Sequence, residues 1–182
     1  VLLSFDGQVR LREKGQELDT TIIRPAIGWR VNKKLDLFIG YYGSETQLAG
    51  RNRKEERIWQ QGSYTLAETS AGRLTGRTRL EQRFRETGDD TGGRLRQLIR
   101  FSHPIPNTPF ALVAQDELFV NLNDTDWGQK AGIDQNRAFV GGSWQASKTL
   151  RLELGYMNQQ IRVANGPDRT NHNLSLTTAL TF

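Results

Sequence analysis

The side chains able to activate water or hold a cation sit mainly in the polar stretches of the chain. His172 and Asp168 lie near one another at the C-terminal end, while Asp124, Asp126 and Glu45 fall in two other polar segments. A histidine beside carboxylates can take a proton from water, so hydrolysis is one chemistry to consider. The acids are not spaced as the tight constellation that such a reaction requires. His103 adjoins the turn-forming run HPIPNTP and reads as a turn residue. Ser143 and Ser175 have no histidine in a nucleophile motif. The pairs Asp89-Asp90 and Asp124-x-Asp126 match no defined cation loop. No glycine-rich phosphate cradle and no metal-spaced His/Cys cluster is found, and the absence of cysteine removes disulfide and thiolate chemistry. These residues predict no catalytic site, no metal and no cofactor.

The stronger chemical signal is a row of guanidinium groups. From Arg77, every second residue gives Arg77, Arg79, Glu81, Arg83 and Arg85, with Thr78, Leu80, Gln82 and Phe84 between them. After the turn-forming run ETGDDTGG the pattern resumes, with Arg94, Arg96 and Arg100 on one parity and Leu95, Ile99 and Phe101 on the other. Strict alternation marks β-strands, whose successive side chains point to opposite faces. A water-soluble sheet buries the apolar face, whereas a transmembrane barrel turns it to lipid and encloses the charged one.

The elements that would carry this row extend along the whole chain. Alternating segments are predicted at about 2–13, 20–32, 35–45, 54–66, 73–86, 93–103, 109–122, 134–146, 150–163 and 171–182. Their connections alternate in kind. VNKK (31–34), AETSAG (67–72), PIPNTP (104–109) and ASKT (146–149) are short; KGQELD (14–19), SETQLAGRNR (44–53), ETGDDTGG (86–93), NDTDWGQKAG (123–132) and ANGPDRTN (164–171) are mostly longer and more polar. An up-and-down barrel sorts its connections this way, tight turns at one rim and longer loops at the other. The expected fold is therefore all-β: one domain, 1–182, forming an up-and-down antiparallel transmembrane β-barrel of about ten strands in a bacterial outer membrane. No segment has the roughly 20 apolar residues of a spanning helix, and a mean hydropathy of -0.62 is compatible with strands that are half polar.

The end of the chain, HNLSLTTALTF, puts Leu174, Leu176, Thr178, Leu180 and Phe182 on one face. This resembles the terminal strand of outer-membrane barrels, which implies recognition by the barrel-assembly machinery. With Phe182 at the periplasmic rim, the outward parity collects Phe5, Trp29, Tyr64, Phe101, Phe110 and Trp144 near the same end, and Tyr41, Phe84 and Tyr156 nearer the other. Two aromatic girdles at the membrane boundaries are the expectation. Outer-membrane lipid and lipopolysaccharide are then the expected surroundings.

The runs Glu56-Arg57-Ile58-Trp59-Gln60-Gln61, Arg79-Leu80-Glu81-Gln82-Arg83-Phe84, Asp116-Glu117-Leu118-Phe119 and Asp134-Gln135-Asn136-Arg137, followed by Gly155-Tyr156, resemble the bacterial family called domain of unknown function 2490. The resemblance covers most of the chain. It implies an outer-membrane barrel without an assigned activity, and leaves room for one or two further N-terminal strands, up to twelve in all.

The inward parity holds Arg10, Arg57, Arg77, Arg79, Glu81, Arg83, Arg94, Arg96, Arg100, Glu117, Arg137 and Glu153. A barrel of about ten strands is little wider than one whose side chains fill it, so these charges are expected to form a paired network in a largely occluded lumen. Asp6 and Asp36 should join it. Hairpin register would set Arg83 near Arg96 and Arg85 near Arg94, like charges needing water, the carboxylates of the seventh and ninth strands, or a bound anion between them. Inward Gly40, Gly141 and Gly155 would leave room for the long side chains. The expected role is structural, or that of a narrow conduit for small solutes or anions. The alternatives are a hydrolase at the extracellular rim and a barrel whose loops bind a partner. Net charge +5 invites a nucleic-acid partner, but the aromatics fall opposite the basic parity, where they cannot interleave for stacking, so none is expected.

Overall fold

The structure, a computed structural model, describes residues 1–12, 17–48, 51–163 and 166–181, and within these the side chains of all but 8–12, 17–19, 48 and 51. Alternation gives ten antiparallel strands: β1 (Leu2–Arg12), β2 (Glu17–Asn32), β3 (Leu35–Leu48), β4 (Arg51–Thr69), β5 (Gly72–Arg85), β6 (Gly92–Pro104), β7 (Phe110–Asn121), β8 (Gly132–Gln145), β9 (Leu150–Ile161) and β10 (Arg169–Leu180). They lie in one sheet in the order of the sequence, the up-and-down topology expected. Among the described residues there is no helix long and apolar enough to cross a membrane.

Several strands run further than composition suggests. The polar run 44–53, read as a long loop, is strand up to Leu48 and again from Arg51. The reading AETSAG (67–72) likewise shrinks, with strand to Thr69 and again from Gly72. Polar side chains do not end a ladder whose hydrogen bonds are all main-chain, and Glu45 here supports the hairpin by accepting from Asn52 at 2.7 Å. The PIPNTP turn places Asn107 at φ 60°, a left-handed conformation that asparagine tolerates.

Packing divides the chain into two compact units. The first comprises 1–63, 78–95 and 120–132; the second comprises 64–77, 96–119 and 133–182. In the first unit, register sets Asp6 opposite Arg24 and Asp36 opposite Arg30, and both pairs form ion pairs at 3.0 Å. In the second, register aligns Val140, Tyr156 and Leu174 in a row across β8, β9 and β10, all exposed. Such cross-strand pairs fix the register, because a one-residue slip would exchange the two faces.

The second face of the sheet is not purely polar. Ile22, Trp59, Leu98, Val113, Phe119 and Phe139 are buried on the same parity as the arginines. Trp59 and Phe139 fill the room that glycines leave, where long charged side chains were expected. A Cβ on Gly40 would lie 2.2 Å from Trp59 Cζ2, and Cβ atoms on the paired Gly141 and Gly155 would lie 2.8 and 2.7 Å from Phe139 Cζ.

Candidate functional site

In the first unit, β4, β5 and β6 bring five guanidinium groups to two carboxylates. Glu55 accepts from Arg57 Nε at 2.8 Å and Arg83 Nε at 2.8 Å through one oxygen, and from Arg85 Nε at 2.9 Å through the other. Glu81, only 1% exposed, accepts from Arg57 Nη1 at 3.1 Å and from Arg94 at 2.7 and 3.0 Å. Arg79 lies 4.0 Å from the other oxygen of Glu81, grips Gln61 Oε1 at 2.6 and 2.8 Å and stacks 4.0 Å over Trp59. Arg57 stands 4.0 Å over the Tyr42 ring. Planar guanidinium suits this work, since it can bridge carboxylates edge-on while its face rests on an aromatic ring.

The connection between β7 and β8 closes over this cluster. Gln129, itself buried, accepts from Arg83 Nη1 at 2.9 Å, while its amide NH2 donates to the Gly93 carbonyl. Trp127 covers Arg83 and Arg85, at 5.3 and 4.4 Å from the ring centroid. The loop is clasped to the hairpin between β5 and β6. Asp126 accepts from the backbone N–H of Asp89 at 2.8 Å and Asp90 at 3.3 Å, Asp90 accepts from Asp126 N–H at 2.8 Å, and Trp127 Nε1 donates to the Asp90 carbonyl at 2.7 Å.

In the second unit, Glu117 on β7 accepts from Arg77 at 2.7 Å and from Arg96 at 2.7 and 2.9 Å. Arg96 and Arg137 flank Phe119 at 4.4 and 4.9 Å from its ring centroid. Arg100 on β6 donates to Gln115 at 3.0 Å and pairs with Glu153 on β9. β6 and β9 are three inter-strand spacings apart, roughly 14 Å if the sheet were flat. Their contact shows that the sheet curls toward its charged face within this unit.

The expected clash of like charges is thus resolved by different groups than supposed. The carboxylates of β7 and β9 do serve Arg96 and Arg100, but Arg83, Arg85 and Arg94 turn to Glu55 and Glu81. Glu55, Tyr42, Trp59, Gln61, Phe119, Trp127 and Gln129 were not among the expected site residues. Glu55 shares parity with Arg57, so that signal was present. The side chain of Arg10 lies outside the described residues.

Of the aromatic positions, Phe5, Trp29, Tyr41, Phe84, Phe101, Phe110, Trp144 and Tyr156 are exposed. Tyr64 is instead half-buried over Gly76, its hydroxyl accepting from Gln97 at 3.0 Å, and Phe182 lies outside the described residues. The acids and histidine of the polar stretches are engaged separately. His172 stacks on Tyr156, Asp168 accepts from Val163 N–H, and Asp124 holds Lys130 and the N–H of Ala131. His103 Nδ1 contacts the Ala71 carbonyl. No group of three metal-ligating side chains is assembled among the described residues.

The N–H of Asp89 above all, with that of Asp90, holds the Asp126 carboxyl below the usual carboxylate range, and the N–H of Ala131 with Lys130 does the same for Asp124. A depressed folded-state pKa stabilises the loop above the unfolded value, about 3.9 for aspartate, and that contribution disappears as pH falls through the folded value. Hydrogen exchange from pH 6 to pH 3 checks this. The amides of Asp89, Asp90 and Ala131 should keep their protection at pH 5 and lose it toward pH 3, ahead of the strands.

Strand order and site together define an all-β protein of ten antiparallel strands that buries arginine–carboxylate clusters on one face and exposes apolar side chains on the other. Residues 1–171 match the family model described as Protein of unknown function (DUF2490), and the chain belongs to that family. It is also similar to an uncharacterized protein of Methylorubrum extorquens, 40% identical over 172 residues, which are 93% of this chain and 75% of the relative.

Proposed function

We propose that this chain is an integral β-barrel of a bacterial outer membrane, its lumen largely filled by the arginine–carboxylate clusters. Its role is structural or that of a narrow conduit for small solutes or anions. One observation carries the reading: exposure alternates against polarity. Leu95 is 36% exposed while Arg94 and Arg96 on either side are 6% and 7% exposed. The same inversion holds for Leu80 between Arg79 and Glu81. Water favours the opposite arrangement, because burying charge costs several kcal/mol per ion unless it is paired. Lipid favours the arrangement seen, with alternating apolar residues outward and polar residues within.

On this reading the exposed Trp, Tyr and Phe side chains sit at the membrane boundaries, and the surroundings are outer-membrane lipid and lipopolysaccharide. The chain has no catalytic role, no cofactor and no nucleic-acid partner. Refolded protein tests the barrel by migration on a denaturing gel, since a closed barrel resists detergent until boiled. A shift on boiling is expected; identical migration counts against the barrel. Planar bilayers test the conduit. Anion-biased conductance that changes in Arg83→Glu or Arg96→Glu supports it, and silence at every voltage removes it.

A further inference from the structure

Three buried or half-buried guanidinium groups, those of Arg57, Arg83 and Arg85, meet at the carboxylate of Glu55, and Arg57 also reaches Glu81. What completes the shell of Arg83 and Arg85 is neutral: the amide oxygen of Gln129 on Arg83 Nη1 and the indole face of Trp127 over both. Both groups come from one loop, and that loop is keyed to the hairpin at two glycines. A Cβ on Gly88 would lie 2.3 Å from Asp126 Oδ1, and one on Gly92 would lie 2.6 Å from Trp127 Cζ2 and 2.9 Å from Gln129 Oε1.

We propose that the Arg83 and Arg85 guanidinium groups capped by the 122–131 loop are a binding site for a small tetrahedral oxyanion of the phosphate class, in which Gln129 Oε1 stands where one anion oxygen would bind. Charge-assisted hydrogen bonds to an oxyanion are about twice as strong as those to a neutral oxygen. An anion therefore gains on Gln129 in every contact that it takes over from it. The loop is then a lid. Its closed state lowers apparent affinity in proportion to how rarely the site is open, and loosening it raises affinity without changing the site. Arginine's fork and the residual positive charge select anion over cation, and burial under Trp127 selects a free solute over a lipid headgroup. This deepens the anion-conduit reading above, yet the binding step itself requires no membrane and no flux.

Isothermal titration of inorganic phosphate into detergent-refolded protein, at constant ionic strength, tests the site separately from conductance. Gln129→Ala should bind phosphate about tenfold more tightly than the parent, the equivalent of the one hydrogen bond to a charged group with which the amide oxygen competes. Gly88→Ala, which leaves every anion-contacting side chain in place, should tighten binding in the same direction by unseating Asp126. Gln129→Glu, which installs a carboxylate on Arg83, should abolish binding. Phosphate binding that is equal in all four proteins, or retained in Gln129→Glu, overturns the proposal, as does the absence of binding in Gln129→Ala and Gly88→Ala.

Discussion

Replacing Glu55 with glutamine is expected to lower the free energy of unfolding by about 3–5 kcal/mol, the cost of breaking a buried ion pair by removing one partner. The substitution keeps shape and volume but leaves Arg57, Arg83 and Arg85 facing one another without the charge that separates them. Total stability of a domain is only about 5–15 kcal/mol, so this loss consumes a large share. Urea unfolding followed by tryptophan fluorescence measures it. Adding Arg85→Gln to the variant removes one of the stranded cations and should recover part of the loss, a coupling that independent sites would not show. Equal stability of parent and Glu55→Gln would mean that the cluster is solvated and carries no weight in the fold.

The second large effect concerns the other face. Leu95→Arg should cost more than about 1 kcal/mol in lipid, between the ~2–4 kcal/mol for arginine at the midplane of a barrel's outer surface and the ~0–1 kcal/mol near its boundaries. On a water-facing surface the same change falls within about 0.5 kcal/mol. Leu95 is suited to the comparison because it is exposed and its two neighbours in sequence are buried arginines, so substitution tests what surrounds the face and not the packing beneath it. Unfolding of parent and variant in vesicles gives the difference. The same pair compared at Leu154, exposed on β9, should behave alike.

How much of this could be read from the chain follows from contrast between faces. Between Arg77 and Arg100 the two parities differ so sharply that the strands and the buried residues Arg79, Glu81, Arg83, Arg94 and Arg96 are apparent. Around Glu55 the contrast weakens: Arg53, Lys54, Glu55, Glu56 and Arg57 are all charged, so only the parity shared with Arg57 marks which carboxylate turns inward. Glu56 meets Tyr41 on the exposed face and Glu55 becomes the hub. Strand ends were under-read for a related reason, since main-chain pairing continues through polar residues that carry no periodic signal. The loop over the cluster was not legible at all. Gln129 and Trp127 reach Arg83 and Arg85 from a loop without periodicity, and Gly88 and Gly92 look like ordinary turn formers until Asp126 and Trp127 are seen resting against them.

The central claim, that apolar side chains face lipid while guanidinium groups lie within, is open to a direct measurement because the chain contains no cysteine. Nitroxide labels placed singly through Leu95→Cys, Ile99→Cys and Leu154→Cys, in protein reconstituted into vesicles, report collision with oxygen, which concentrates in lipid, against collision with a water-soluble nickel chelate. All three labels should meet oxygen more often than the chelate. Labels that meet the chelate freely, as a water-exposed surface would, contradict the account.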